Sequence, residues 1–319
     1  MPTSGGGYRN ARGVLQPAAH KQESQWPSVS VVIPIVNEAA NLEIVLPLIP
    51  AEYEVVVVDG GSHDGSLDVV CALRPDAVCL QQTRWGKGNA LACGFHRASG
   101  DIIVMFDADG SADPREIDSF VSTLLAGADF AKGTRFAPGG GSVDITLLRH
   151  AGNVCLTMLA NQLLGRHFTD LCYGYSAFWR DVLPLLALPE PGGRHREWGD
   201  GFEIETYSHC RAALSGLLIR EVPSHEHHRL NGPSNLQAWP DGRRVLSTLI
   251  REWRTRDRRI QLSSAARYFA GIARVSDLAR ESRRWSRLAQ RHITVRDCMH
   301  MPAPVVPARP HACGKSARR

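Results

Sequence analysis

Short apolar runs rich in β-branched residues alternate with amphipathic stretches through the first 135 positions of this chain. The runs VSVVIP (29–34), YEVVVV (53–58), AVCL (77–80), DIIVMF (101–106) and FAKGT (130–134) are nearly unbroken by polar residues. A strand that is apolar on both sides is buried on both sides, as in a parallel sheet covered by helices. Between these runs, residues 37–46, 64–73, 86–98 and 113–125 carry helical spacing, as with Leu42, Val45 and Leu46, and Pro114 suits the first position of its helix. Strands and helices in this alternation predict βαβ crossovers and a mostly parallel α/β sheet with helices on both faces.

Beyond residue 135 the pattern is less regular. Residues 138–141 (PGGG) read as a loop and 147–164 as a largely apolar helix with Arg149, His150 and Asn153 near its start. That helix is expected in the core, although its composition also suits a groove wall or a membrane interface. Residues 189–201 form a Gly/Pro-rich loop, 202–216 a helix and 217–222 a last strand. Segments 241–259 and 265–291 read as Arg-rich helices, and the Pro/Ala/Arg composition from 301 onward predicts disorder. The expected organisation is a disordered segment (1–27), one α/β domain (28–250), a basic helical extension (251–300) and a disordered tail (301–319).

Composition narrows the class. Of 319 residues, 43% are hydrophobic and 22% charged, which is ordinary for a soluble globular chain, and no run of 18 apolar residues predicts a membrane-spanning helix. The first 25 residues lack the apolar core of a secretory leader. Eight cysteines without a CxxC pair speak against a zinc site or disulfide framework and for a reducing cytoplasm. The net charge of +5 hides an asymmetry. From Arg251 onward there are 17 Lys+Arg against 5 Asp+Glu, whereas the first 250 residues carry 20 against 27. The basic segment suits either a solvated helical tail or a peripheral hold on an anionic membrane surface. It has no interleaved aromatic platform, so no nucleic-acid partner is expected.

The fourth strand ends on Asp107-Ala108-Asp109. Ionised carboxylates are strongly disfavoured in a dry core, so a pair at a strand's carboxyl end points to the sheet edge where α/β folds bind ligands. Two such groups can hold a hard divalent cation against a diphosphate. Taken alone the pair also suits a capping or turn device.

The ordered segments VVIPIVNEAANL (31–42), VVVVDGGSHDGS (55–66), RWGKGNAL (84–91), DIIVMFDADGSADP (101–114) and GTRF (133–136) resemble family 2 glycosyltransferases of the GT-A (Rossmann-like) fold. GDGFEIET (199–206), REVPSHEHHR (220–229) and GPSNLQAWPDGRRVL (232–246) resemble the dolichol-phosphate mannosyltransferase branch, and the likeness spans roughly 28–250. No G-x-G-x-x-G follows the first strand, which argues against a nicotinamide or flavin enzyme.

The resemblance implies a nucleotide-diphosphate sugar donor and assigns roles. Pro34, Asn37 and Glu38 would meet the base and ribose, and Asp59 would accept from a base N–H. Gly60 stands where a second Asp is common in the family. Lys87, between two glycines, would bring a charge near the donor, and Arg135 would face sugar or phosphate. Asp107 and Asp109 would hold Mg²⁺ or Mn²⁺. A hydroxyl acceptor requires a general base, for which Asp200 is favoured over Glu203 and Glu205. A polyprenyl phosphate acceptor needs no base but needs cations, and Arg229 matches an arginine of that branch. His225, His227 and His228 beside it can be a metal shell or ordinary surface histidines.

The expected activity is therefore metal-dependent transfer, with inversion, to a polyprenyl phosphate at the membrane's inner face. Transfer to a soluble metabolite hydroxyl is the alternative. A catalytically silent nucleotide-sugar-binding protein is the non-enzyme reading, against which the intact Asp107/Asp109 pair stands.

Overall fold

The computed structural model describes residues 26–193, 195–232 and 237–256. Seven strands form one sheet: β1 (Val29–Ile35), β2 (Glu54–Asp59), β3 (Val78–Gln81), β4 (Ile102–Met105), β5 (Phe130–Thr134), β7 (Ser176–Trp179) and β8 (Ile219–Pro223). Their order across it is β3-β2-β1-β4-β7-β5-β8. All run parallel except β7, which pairs antiparallel with β4 on one side and β5 on the other. Two-residue strands β6 (Gly141–Ser142) and β9 (His225–Glu226) pair separately.

The connecting helices are α1 (Ala39–Val45), α2 (Ser66–Leu73), α3 (Lys87–Arg97), α4 (Ile117–Leu125), α5 (Leu147–Leu164), α6 (Leu183–Leu186), α7 (Ile204–Leu214) and α8 (Ala238–Arg254). Successive strand residues face opposite sides, and both sides are dry. Val31, Ile33 and Val57 pack with Leu42 of α1 and Phe120 of α4. Val32, Val56 and Val58 pack with Leu91 and Phe95 of α3. Helix α3 lies close on the sheet because Gly94 has no side chain: a Cβ there would fall 2.3 Å from Val32. A third cluster joins α5, α7 and α8 through Ala160, Cys210, Ala213 and Leu249.

The alternation read from the sequence holds, with local departures. Helix α1 starts at Ala39 rather than residue 37 because Asn37 adopts φ +56°, outside helical space. The helix expected from 113 opens with a 3₁₀ turn, Pro114–Glu116, capped by Asp113, which accepts from the Arg115 N–H. Strand β7 had no counterpart in the sequence pattern. Helix α8 runs past the boundary expected at residue 250, and its Glu252 makes a buried ion pair with Arg211 of α7 at 3.1 Å. The expectations for the first 25 residues, for a helix at 265–291 and for disorder beyond 301 lie outside the described residues.

The register of the parallel strands brings the candidate residues to one edge. Asp59 ends β2 in register with Ile35 at the end of β1, and β4 runs parallel to both, so Asp107 emerges on the same sheet edge. The parallel β5 delivers Arg135 there, and the antiparallel β7 begins there, after Tyr173 and Tyr175.

Candidate active site

A cleft of about 420 Å³ opens along that carboxyl edge. Pro34, Asp107 and Asp109 line it from the strand ends, Lys87 from the start of α3, Glu205 from α7 and Arg229 from the segment after β9. Asp107 and Asp109 flank Ala108, which is buried and holds the turn against the core.

Each motif carboxylate is matched with a cation that also reaches a second carboxylate. The Lys87 ammonium donates to Asp107 Oδ2 at 2.7 Å and to Glu205 Oε1 at 2.6 Å. Burial alone would depress this lysine, but Asp107 and Glu205 overcome it and hold Lys87 well above its ordinary value. One positive charge between two acids leaves a negative excess. Glu205 is accordingly raised, first by its own burial and further by Asp107, against the pull of Lys87.

Arg229 NH1 donates to Asp109 Oδ2 at 3.2 Å, and NH2 donates to Glu38. Asp109 Oδ1 accepts from the Ser111 N–H at 3.0 Å and its hydroxyl at 2.7 Å. Burial raises the Glu38 carboxyl despite its bonds to Arg229 and Asn41. Arg135 forms a fork onto Asp170, Nε–Oδ2 2.7 Å and NH2–Oδ1 3.0 Å, and its NH1 reaches Glu226 at 3.0 Å. Burial would raise Asp170, yet Arg135 and Lys132 hold it below the usual carboxylate value. Arg149, one turn into α5, faces the cleft and pairs with Asp144 at 3.3 Å.

Several residues singled out in the sequence sit elsewhere. Asp59 is buried and does not line the cleft. Its oxygens accept from Ser62 N–H (2.9 Å), Ser62 Oγ (2.6 Å) and Gln81 Nε2 (2.8 Å), so its lone pairs serve its own turn. Asn37 Oδ1 accepts from the His63 N–H at 2.8 Å, and its own N–H donates to Ser62 Oγ at 2.9 Å. Asn37 thus ties the β1 turn to the β2 turn and is absent from the cleft wall.

Asp200, favoured as general base, has no exposed surface. Its carboxylate is clamped by Arg84, Nε–Oδ2 and NH2–Oδ1 both at 2.8 Å. Its carbonyl accepts from the N–H groups of Gly88 (2.8 Å) and Asn89 (3.2 Å), the first turn of α3. Asp200 therefore positions Lys87, and Glu205 is the carboxylate of that segment that reaches the cleft. Glu203 turns inward and accepts from Gly199 and Gly201 N–H at 3.1 and 3.3 Å. None of His225, His227 and His228 lines the cleft, and His228 Nδ1 faces Asp144 Oδ1 at 3.1 Å. Reading the sequence missed Asp170 and Glu226, the partners of Arg135. An acid inside the otherwise apolar stretch FTDLCYGY was the available signal for Asp170.

Among the described residues, no group of three or more His, Cys, Asp or Glu is arranged around a metal position. Two carboxylates at one opening still fit a hard cation such as Mg²⁺ or Mn²⁺, which takes one or two carboxylates and completes its shell with phosphate oxygens and water.

Residues 30–185 match the model of "Glycosyl transferase family 2". Polyprenol monophosphomannose synthase of Mycolicibacterium smegmatis is 31% identical over 204 residues, 60% of this chain and 75% of that protein. Undecaprenyl-phosphate mannosyltransferase of Micrococcus luteus is 31% identical over 206 residues, 61% and 82% respectively. Among solved structures, glucosyl-3-phosphoglycerate synthase from Mycobacterium tuberculosis, in complex with Mn²⁺, UDP and glucosyl-3-phosphoglycerate, superimposes with a TM-score of 0.56. It is 23% identical, covering 71% of this chain and 80% of that one, and the likeness establishes a common GT-A-like fold.

Proposed function

Because the chain belongs to glycosyl transferase family 2, in its dolichol-phosphate mannosyltransferase branch, we propose that it moves a sugar from a nucleoside-diphosphate donor to a polyprenyl phosphate. The observation that carries this reading is the shared cleft, with Asp107 and Asp109 at one edge and four cationic side chains around it. A divalent cation held by Asp107 and Asp109 would supply Lewis-acid stabilisation of the departing diphosphate. Lys87, charged and fixed by two carboxylates, and Arg229, held at the rim by Glu38 and Asp109, present donors to the negative charge that grows on the leaving group.

The acceptor side lies toward α5. Arg149 is partly exposed and shares only Asp144 among the described residues, so it keeps donors for a phosphate. Next to Arg149 the chain exposes Val143, Leu147 (89% exposed) and Leu148, an apolar threshold where a polyprenyl chain would rest beside its phosphate. An ionised phosphate oxygen attacks without a general base. The absence of Asp200 from the cleft therefore costs this reading nothing. The sugar carbon would be struck on the face opposite the leaving diphosphate, giving inversion. Among the described residues no helix is long and apolar enough to cross a membrane, so the lipid would be met at the bilayer surface. The names of the two curated relatives support this acceptor.

The test is to incubate the protein with labelled nucleotide sugars and Mn²⁺, with and without undecaprenyl phosphate, and partition the products. Label that enters the organic phase only when the lipid phosphate is present is the expected result. Label that stays in the aqueous phase with every donor would overturn the lipid acceptor.

A further inference from the structure

The structure assigns a site of reversible disulfide formation to Cys71 and Cys79, two thiols that meet at the outer rim where α2 packs beside the edge strand β3. Neither lines the cleft. Both are free and exposed, although cysteine is among the residue types most often buried. Strand and helix geometry bring them together. Alternate residues of β3 face opposite ways, and Val78 and Leu80 pack on the α3 side of the sheet with Val32, Val56 and Val58. Cys79 therefore points to the other side. So does Val57, its partner in register on β2, which belongs to the cluster that contains Val70 of α2. Cys71 follows Val70 on that helix, where the packing gives way to solvent. Its sulfur lies within hydrogen-bonding reach of Cys79. Since β3 pairs with β2 alone, no further strand of the sheet covers the two thiols.

The turn that joins the two cysteines is braced from both sides. The buried Arg74 guanidinium donates to the Ile49 carbonyl at 3.2 Å and to the Tyr53 carbonyl at 2.9 Å. The Arg74 N–H donates to the Val70 carbonyl at 2.8 Å, and its own carbonyl accepts from the Ala77 N–H at 2.9 Å. The approach of Cys71 to Cys79 is therefore a property of packed structure and not of a loose loop.

A small soluble disulfide such as oxidised glutathione serves as the oxidant. The Cys71 thiolate attacks one of its sulfurs and the S–S bond breaks. One glutathione leaves and takes up the proton that Cys71 gave up. Cys79, deprotonated in turn, attacks the Cys71 sulfur of the mixed disulfide and expels the second glutathione as its thiol. The two cysteines together lose two electrons and two protons, and one glutathione disulfide becomes two thiols. Burial first, and then Cys71 beside it, raise the Cys79 thiol, which leaves the first attack to Cys71. An exposed bond of this kind is open to reduction, as suits a switchable staple between α2 and the edge strand.

The experiment equilibrates the full chain in glutathione buffers from fully reduced to fully oxidised, blocks the remaining thiols with iodoacetamide and maps the digest by mass spectrometry without reductant. Cleavage before Asp76 parts the two cysteines, so their bond appears as two joined peptides, and fragmentation tells Cys79 from Cys93 on the second of them. The Cys71–Cys79 bond should form about tenfold more than any other pair and vanish with dithiothreitol. Cys79→Ser should instead hold glutathione on Cys71 as a stable mixed disulfide. Circular dichroism melts confirm that the variant is folded. Alkylation of both cysteines across the whole range would overturn the site. Stable glutathione on Cys71 of the unmodified protein would also overturn it, as would preferential pairing of either residue with another cysteine.

Discussion

Both oxygens of Asp109 accept hydrogen bonds within the protein, from Ser111 and from Arg229, so a divalent cation must compete with a guanidinium for the Arg229-facing oxygen. Arg229→Gln should therefore tighten Mn²⁺ binding to the protein alone by about tenfold, since a like charge within a few ångströms has been removed. Turnover should fall in the same variant. Metal titration by water-proton relaxation separates the two effects, and unchanged Mn²⁺ affinity would rule out the competition. Asp107→Asn and Asp109→Asn should each lower turnover by about a hundredfold or more, the scale of removing a group that stabilises developing charge. Their stability should drop by only about 1 kcal/mol, because Lys87 keeps Glu205 and Arg229 keeps Glu38 after either change. Thermal melts beside steady-state rates check both statements. These two acids were legible in the sequence because an apolar strand stops on them. Asp59 ends a strand in the same way, yet Ser62 and Gln81 absorb it. Asp200 lies near Glu205 in sequence, yet Arg84, 116 positions away, removes it from the cleft. Which acid lines the cleft was decided by tertiary partners that no local pattern encodes.

Helix α3 carries Lys87 on its first turn and is docked by that turn. Gly88 N–H donates to the Asp200 carbonyl at 2.8 Å, and a Cβ on Gly88 would stand 1.8 Å from the Gly199 carbonyl oxygen. Gly88→Ala should cost about 3 kcal/mol through overpacking against backbone that cannot yield, and should lower activity by displacing Lys87. Gly152 is the opposite case: it lies inside α5, exposed, and a methyl group added there would meet open space. Gly152→Ala should stabilise by about 0.5–1 kcal/mol through helix propensity. Urea midpoints that move in opposite directions would bear out both. The ends of α5 were legible, since Thr146 caps one and Gly165 closes the other in left-handed geometry, both local devices. Strand β7 was not, because SAFW is four residues long and is a strand only by virtue of lying between β4 and β5.

Across the whole molecule the charge is divided, acidic through residue 250 and basic after it. Truncation after Arg256 removes 14 of the 17 basic residues that follow residue 250 and should weaken binding to anionic vesicles at low salt, at about 1 kcal/mol for each Lys or Arg near the headgroups. Equal sedimentation of full-length and truncated protein with such vesicles would assign the tail to solvent. Acid sensitivity has a more central origin. His209 lies in α7 with no exposed surface, its Nδ1 against the Leu171 carbonyl at 3.1 Å and its Nε2 against Ser176 Oγ at 3.3 Å. Burial first, and then the nearby Lys132, push its pKa well below 6.5, while the Leu171 carbonyl and Asp170 only partly oppose them. Folded protein keeps this ring neutral where the unfolded chain takes up a proton. Stability is thus fully present above pH 6.5 and is lost as pH falls below it, by up to about 1.4 kcal/mol per pH unit. Asp170 and Asp200, both held below 3.8, add a second loss only as pH drops beneath that value. His209→Gln should be less stable at pH 8, where the packed ring is missed, and should show a shallower decline between pH 6.5 and 5. Denaturant unfolding at pH 8, 6.5 and 5.5 reads the difference directly. A parental slope in the variant would transfer the acid sensitivity to other groups.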